Sequence, residues 1–232
     1  MSIIDAVICN QELVNEIDTW FFNNFESFFS GENNKILFNN IRMLQCGGII
    51  NLEPCSPLHC VKWRERGITF YETVGDSISF EFQGCVMARI CIDGKLYVAH
   101  IHCSNSSKPE EDTRSIWSNF IYANKNRISE LIMFKPGHQY NRPYQNYPSV
   151  DNIFTWGVIT SKGECYSLLI KYTSGKASLD SIYKHSTYGN DISSYDFLLN
   201  SDYSLFNIVS VKWDVFWQFR RTKLLFSNNH NV

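Results

Sequence analysis

FQGCVMARICIDGKLYVAHIH, residues 82–102, organises the reading of the whole chain. Two β-like runs meet at Asp93-Gly94. Asp-Gly between apolar, β-branched runs is a strong short-range hairpin signal. The first run opens on Gly84-Cys85, and His100 stands near the end of the second. With a tight turn, Cys85 and His100 fall at the open end of one hairpin. Cross-strand neighbours are about 4.5–5.5 Å apart, so thiol and imidazole are expected within hydrogen-bond reach. A cysteine nucleophile needs a base that close to be held as thiolate.

The same residues also suit plain packing, because cysteine is among the most buried residue types. Gly84 favours chemistry, since a glycine beside a strand marks a place where a ligand or backbone comes close. Backbone N–H groups of Gly84 and Cys85 are there the candidate donors to an oxyanion. His102 competes with His100, two residues on and on the same strand face. Cys91 and Cys103 compete with Cys85, but neither follows a glycine.

Outward from the hairpin, residues 67–74 alternate through Ile68, Phe70, Glu72 and Val74 before Gly75-Asp76 turns the chain. Residues 77–82 alternate again, with Ile78, Phe80 and Phe82 expected on one face. Further upstream, residues 11–29 place Leu13, Ile17, Trp20, Phe21, Phe25 and Phe28 at helical spacing, and Ser30-Gly31 stops the run. Its polar face is rich in Asn and Glu, so it reads as a helix on the core and not as a membrane helix. Residues 35–43 fit a short helix or a strand, and Cys46-Gly47-Gly48 breaks the pattern. Residues 49–62 read as an irregular, Pro-containing loop bordering a cleft. Cys55, His59 and Cys60 lie in it, but without structural-zinc spacing or a fourth ligand, so no metal site is expected.

Downstream, the polar run 104–113 reads as a loop, with Asp112 or Thr113 capping a helix that buries Ile116, Phe120, Ala123 and Ile128. A strand at 129–134 ends at Lys135-Pro136-Gly137. Residues 138–148 form a long loop in which Tyr140, Tyr144 and Tyr147 are candidates to grip a partner. Residues 154–160 and 164–173 suggest a second hairpin through Ser161-Lys162-Gly163. Residues 177–188 are less clearly assigned, 196–211 are apolar, Trp213, Val215 and Trp217 alternate, and 227–232 read as a loose tail.

A chain of 232 residues with 44% hydrophobic and 19% charged content is globular and buries a sizeable core without staples. Aromatic content of 15% favours a β-rich interior. A net charge of −2 without a like-charge block gives no footprint for nucleic acid or a membrane surface. The eight cysteines form no Cys-x-x-Cys pair and suit reduced thiols better than a disulfide scaffold. Residues 1–14 lack a basic start and an apolar core, so they do not read as a signal peptide, and no apolar run reaches transmembrane length. No internal repeat or Pro- or Gly/Ser-rich linker is evident, so one catalytic domain over 1–232 is expected.

Gln83-Gly84-Cys85, followed fifteen residues on by Ala99-His100, resembles the Gly-Cys…Ala-His signature of bacterial toxin glutamine deamidases. These are the catalytic domain of cytotoxic necrotising factors and the Burkholderia lethal factor type, and the chemotaxis-receptor deamidases share their Cys–His geometry. Members commonly read Ser-Gly-Cys-Thr where this chain has Gln-Gly-Cys-Val, and they follow the histidine with a small residue where Ile101 stands here. The resemblance implies an α+β (α/β) fold: a central β-sandwich of mixed strands flanked by helices. It implies Cys85 as nucleophile and His100 as base. A third group about six residues before the cysteine, Ser79 here, would orient the imidazole. It also implies a monomeric toxin or effector, exported from a bacterium and acting in the host cytoplasm without a cofactor. The expected substrate is an exposed glutamine of a host protein, in the families named a Rho-type GTPase or the translation-initiation RNA helicase. Two other readings stay open: a different Cys–His thiol hydrolase or transglutaminase, and a binding module without catalysis.

Overall fold

The computed structural model describes residues 1–24, 43–53, 55–80, 82, 84–102, 113–137 and 153–185, and the backbone of 213–220 and 223–227. Helices α1 (Ile3–Cys9), α2 (Glu12–Asn24) and α3 (Thr113–Asn124) flank thirteen strands among the described residues. The strands are β1 (Met43–Gln45), β2 (Gly47–Ile50), β3 (Leu58–Val61), β4 (Ile68–Glu72), β5 (Ser77–Ser79), β6 (Val86–Ile92), β7 (Lys95–Ile101), β8 (Ile128–Phe134), β9 (Ile153–Ile159), β10 (Cys165–Thr173), β11 (Lys176–His185), β12 (Trp213–Arg220) and β13 (Lys223–Ser227). They make two mixed sheets, β1-β4-β7-β6-β8 and β13-β12-β11-β10-β9-β5-β3-β2. The fold is α+β: a sandwich of mixed sheets with helices on its outer faces.

Asp93 and Gly94 both take positive φ, 51° and 77°, as a tight hairpin turn with right-handed strand twist demands. That turn pairs Ile92 with Lys95 and sets the rest of the β6–β7 ladder: Ala88 with Ala99, Met87 with His100, Val86 with Ile101. Alternation then divides the two strands. Arg89 reaches across to the carbonyls of Thr160 and Ser161, so Met87, Arg89 and His100 face the larger sheet. Val86, Ala88, Ile90 and Ala99 fall on the opposite face and pack in one cluster with Trp117, Phe120 and Ile121 of α3. On the larger sheet Ile78, Trp156, Val158 and Leu168 pack in a second cluster with Ile4, Val7, Leu13, Ile17 and Phe21 of α1 and α2.

Several expectations are corrected. Helix α1 was not anticipated; Ser2 caps it, and the buried Asp76 carboxylate accepts from the Ile3 N–H at 2.8 Å. The segment expected to be a loop bordering a cleft holds β2 and β3. Gly47 and Gly48 are strand residues: a Cβ on Gly47 would stand 2.6 Å from the Tyr71 ring, so the glycine permits close approach of the sheets. His59 and Cys60 are consecutive strand residues on opposite faces, which prevents them from meeting one ion. Helix α3 buries Trp117, Phe120, Ile121 and Asn124; Ala123 is exposed and Ile128 belongs to β8. The two later hairpins close at 160–164 and at Ser174-Gly175. The expectations for 25–42, 103–112, 138–150, 186–212 and the tail lie outside the described residues, and with them Phe25, Phe28, Cys103, Asp112, Tyr140, Tyr144 and Tyr147.

Candidate active site

His100 sits in the middle of β7's buried half and is 1% exposed. Its Nδ1 lies 2.8 Å from the hydroxyl of Ser79, which belongs to the opposite sheet. The same hydroxyl donates to the Val61 carbonyl at 2.7 Å. A serine hydroxyl has one proton, so with that proton on Val61 it can only accept from the ring. This network assigns the proton to Nδ1 and leaves Nε2 as the basic nitrogen. Among the described residues Nε2 makes no hydrogen bond. Phe82 stacks on the imidazole at 4.1 Å between centroids, only 10° from parallel.

Burial pushes the His100 ring down to about 3, and the neighbouring His102 adds to the effect. The resting ring is therefore neutral across the physiological range, which changes the expected chemistry. At rest His100 is neutral, not an imidazolium that already holds a thiolate, and its low proton affinity opposes uptake of the thiol proton until charge develops at a bound substrate.

Cys85 stands one residue before β6 and is 9% exposed. It packs in the same apolar cluster as Phe82, Val86 and Met87. The expected direct pairing with His100 is not what the ladder gives. A two-residue turn places Met87 opposite His100, so Cys85 lies two residues further along. In a ladder continued past Val86 that would be a diagonal relation, for which about 7–8 Å between α-carbons is usual, a span that a ring and a thiol can bridge. Nε2 does not hydrogen-bond to the Cys85 sulfur here; catalytic hydrogen bonds often tighten only when substrate is bound. A Cβ built on Gly84 would meet no atom of the described residues within 4 Å.

His102 is half-buried, its Nδ1 accepts from the Arg66 N–H at 3.3 Å, and its ring stacks on Trp63. Of the two histidines, only His100 meets Ser79. Cys91 is half-buried near the far end of β6. Burial pushes the Cys60 and Cys165 thiols up, which makes both poor nucleophiles. No group of three or more His, Cys, Asp or Glu among the described residues is placed to hold a metal ion.

Three contributors were not found in the sequence. The Val61 carbonyl fixes the direction of the Ser79 hydroxyl. Phe82 was expected to share a face with Ile78 and Phe80, but those two pack toward the helices while Phe82 covers His100. Gly137 lies against the backbone before Cys85: a Cβ on it would stand 2.6 Å from the Phe82 carbonyl oxygen and 3.4 Å from the Gly84 nitrogen. Only the Lys-Pro-Gly stop was visible there, and it carried no hint of the contact.

The neutral ring has a consequence for stability. Below its ordinary value of 6.5 the unfolded chain binds a proton at His100 that the folded chain refuses until about pH 3. Stability is thus lost as pH falls through that window, by up to an amount on the order of 5 kcal/mol for this group. Burial lowers His59 and His102 too, with the same sign. Thermal melts are expected to show a falling midpoint from pH 6.5 toward 3. His100→Asn should flatten that slope; an unchanged slope would contradict the assignment.

The molecule is thus an α+β sandwich in which a Ser–His pair bridges the two sheets beside a Gly-Cys step. No family model matches the chain, and no curated protein matches it. Among solved structures it is similar to the C-terminal domain of CNFy from Yersinia pseudotuberculosis, at 11% identity and a TM-score of 0.27. The match covers 55% of this chain and 61% of that one. A likeness at that level fixes neither the family nor the activity.

Proposed function

We propose that the chain is a thiol-dependent protein-glutamine deamidase with Cys85 as nucleophile, His100 as acid–base and Ser79 as the group that orients it. The observation that carries this reading is the inter-sheet hydrogen bond from His100 Nδ1 to a serine whose own proton is committed to Val61. A buried imidazole whose second nitrogen has no partner among the described residues suits a base near a reacting group. The Gly-Cys…Ala-His spacing supports the choice of Cys85 and His100.

In the first step the Cys85 sulfur attacks the carboxamide carbon of a substrate glutamine while its proton passes to Nε2. The carbonyl π electrons move to oxygen, where backbone N–H groups of Gly84 and Cys85 are the proposed donors. Collapse breaks the carbon–nitrogen bond, and the Nε2 proton leaves with ammonia. Water then attacks the thioester, giving one proton back to Nε2. Cleavage of the carbon–sulfur bond returns that proton to sulfur and leaves glutamate. The ring is charged only between proton transfers, in keeping with its low proton affinity at rest. An amine in place of water would give transglutamination by the same route. We place the whole chain as one catalytic unit, acting as a bacterial effector on a host protein and needing no cofactor.

The test is to treat a host-cell extract with the wild-type chain and with Cys85→Ser, then search peptides by mass. Conversion of a particular glutamine to glutamate by wild type alone is the expected result. Cleaved chains would instead mean a peptidase, and no change at any glutamine would remove the deamidase reading.

A further inference from the structure

We infer that Ser167 and His185 are positioning residues for the Cys85 nucleophile, acting through the Pro136-Gly137 turn; this rests on the reading of Cys85 and His100 above. Ser167 of β10 stands opposite Gly157 of β9, which stands opposite Ser79 of β5. The three make one row across the inner face of the larger sheet. Ser167 repeats the arrangement seen at Ser79. Its hydroxyl donates to the Pro136 carbonyl at 2.8 Å and lies 2.6 Å from His185 Nε2. With its proton on Pro136, the hydroxyl accepts from Nε2–H, so the histidine fixes the direction in which the serine donates.

The turn so held is wedged between β9 and the segment that leads to Cys85. On one side Pro136 lies over Gly157, where a Cβ would stand 2.7 Å from the proline ring, 2.9 Å from the Met87 sulfur and 2.9 Å from the Phe82 ring. On the other side Gly137 lies against the Phe82 carbonyl and the Gly84 nitrogen. Phe82 in turn covers the His100 imidazole. A continuous line of contacts therefore runs from His185 through Ser167, Pro136 and Gly137 to the backbone donors and to the ring. Every link is close-packed, so a shift at Pro136 is passed on and not absorbed. Without the Ser167 hydroxyl the 136–137 peptide loses its fixed orientation, and the Gly84-Cys85 step loses its backing.

The experiment is a double-mutant cycle on the full chain, read by iodoacetamide labelling of Cys85 with Cys91 as internal control. Ser167→Ala is expected to slow labelling of Cys85 about tenfold, since small misplacements at a reacting centre cost factors of this size. Labelling of Cys91 should not change. In a His100→Asn background Ser167→Ala should cause no further slowing, because both act on one event. If Ser167→Ala leaves Cys85 within about twofold while His100→Asn slows it, the positioning role is wrong and the dyad stands. Equal slowing in both backgrounds would likewise overturn it, as that marks a general structural effect. If His100→Asn itself changes nothing, the dyad reading fails and this inference with it. Should Ser167→Ala not fold, His185→Gln is carried through the same cycle with the same criteria.

Discussion

Cys85→Ser is expected to abolish glutamine conversion, with a loss of at least about a thousandfold. The oxygen keeps the size of the side chain but is a far weaker nucleophile beside a neutral base. His100→Asn should cost nearly as much by a different route. The asparagine amide can keep the bond to Ser79, so the sheets stay pinned, but the atom that takes the thiol proton is gone. Combining the two should add almost nothing, because a nucleophile and its base act as one unit. Release of ammonia from a sensitive protein, followed for the wild type, both single variants and the double, checks this. Additive losses would mean that the two residues act separately, which the proposed proton path forbids.

At neutral pH the largest stability loss expected of a substitution lies away from the site, at Arg89. Its side chain is 4% exposed and its Nε sits 2.6 Å from the Glu130 carboxylate. One terminal nitrogen also donates to the Thr160 carbonyl at 2.6 Å and to the Ser161 carbonyl at 3.1 Å. This one guanidinium thus ties β6 to the turn between β9 and β10, across the sandwich. Arg89→Met fills a similar volume but takes the guanidinium from the Glu130 carboxylate and the Ser161 carbonyl, and leaves the Thr160 carbonyl only the Gly163 N–H. Removing one partner of a buried pair typically costs 3–5 kcal/mol; with Glu130 still partly in water, about 3 kcal/mol is expected here. Denaturant unfolding at neutral pH reads this directly as a lower midpoint with an unchanged slope. A loss below about 1 kcal/mol would show that the bridge contributes little.

The hairpin was legible because Asp93-Gly94 is a local signal that fixes both the turn and the register of everything behind it. That register also put His100 on an inner face, although it set Met87 and not Cys85 opposite. Ser79 is different in kind. It meets His100 from another sheet, and no local pattern reports a contact made by sheet stacking. Its candidacy came from the spacing in the deamidase signature. The stretch 46–62 was misread because Pro54, Pro57 and paired glycines look like loop punctuation. Gly47 is instead what a strand needs where Tyr71 of the facing sheet presses on it. The alternation of Ile78, Phe80 and Phe82 misled for a related reason. β5 ends at Ser79, and Phe82 turns to the space between the sheets, where its ring covers the imidazole. The pattern of a strand says nothing once the strand has stopped.

The central claim is that the ring held by Ser79 takes the proton of the Cys85 thiol. Iodoacetamide labelling of Cys85 at neutral pH, compared among wild type, His100→Asn and Ser79→Ala, tests it most directly. The account predicts labelling slowed about tenfold or more by His100→Asn and by a smaller factor in Ser79→Ala, where the ring is present but no longer oriented. Equal labelling rates at Cys85 in all three proteins would contradict it.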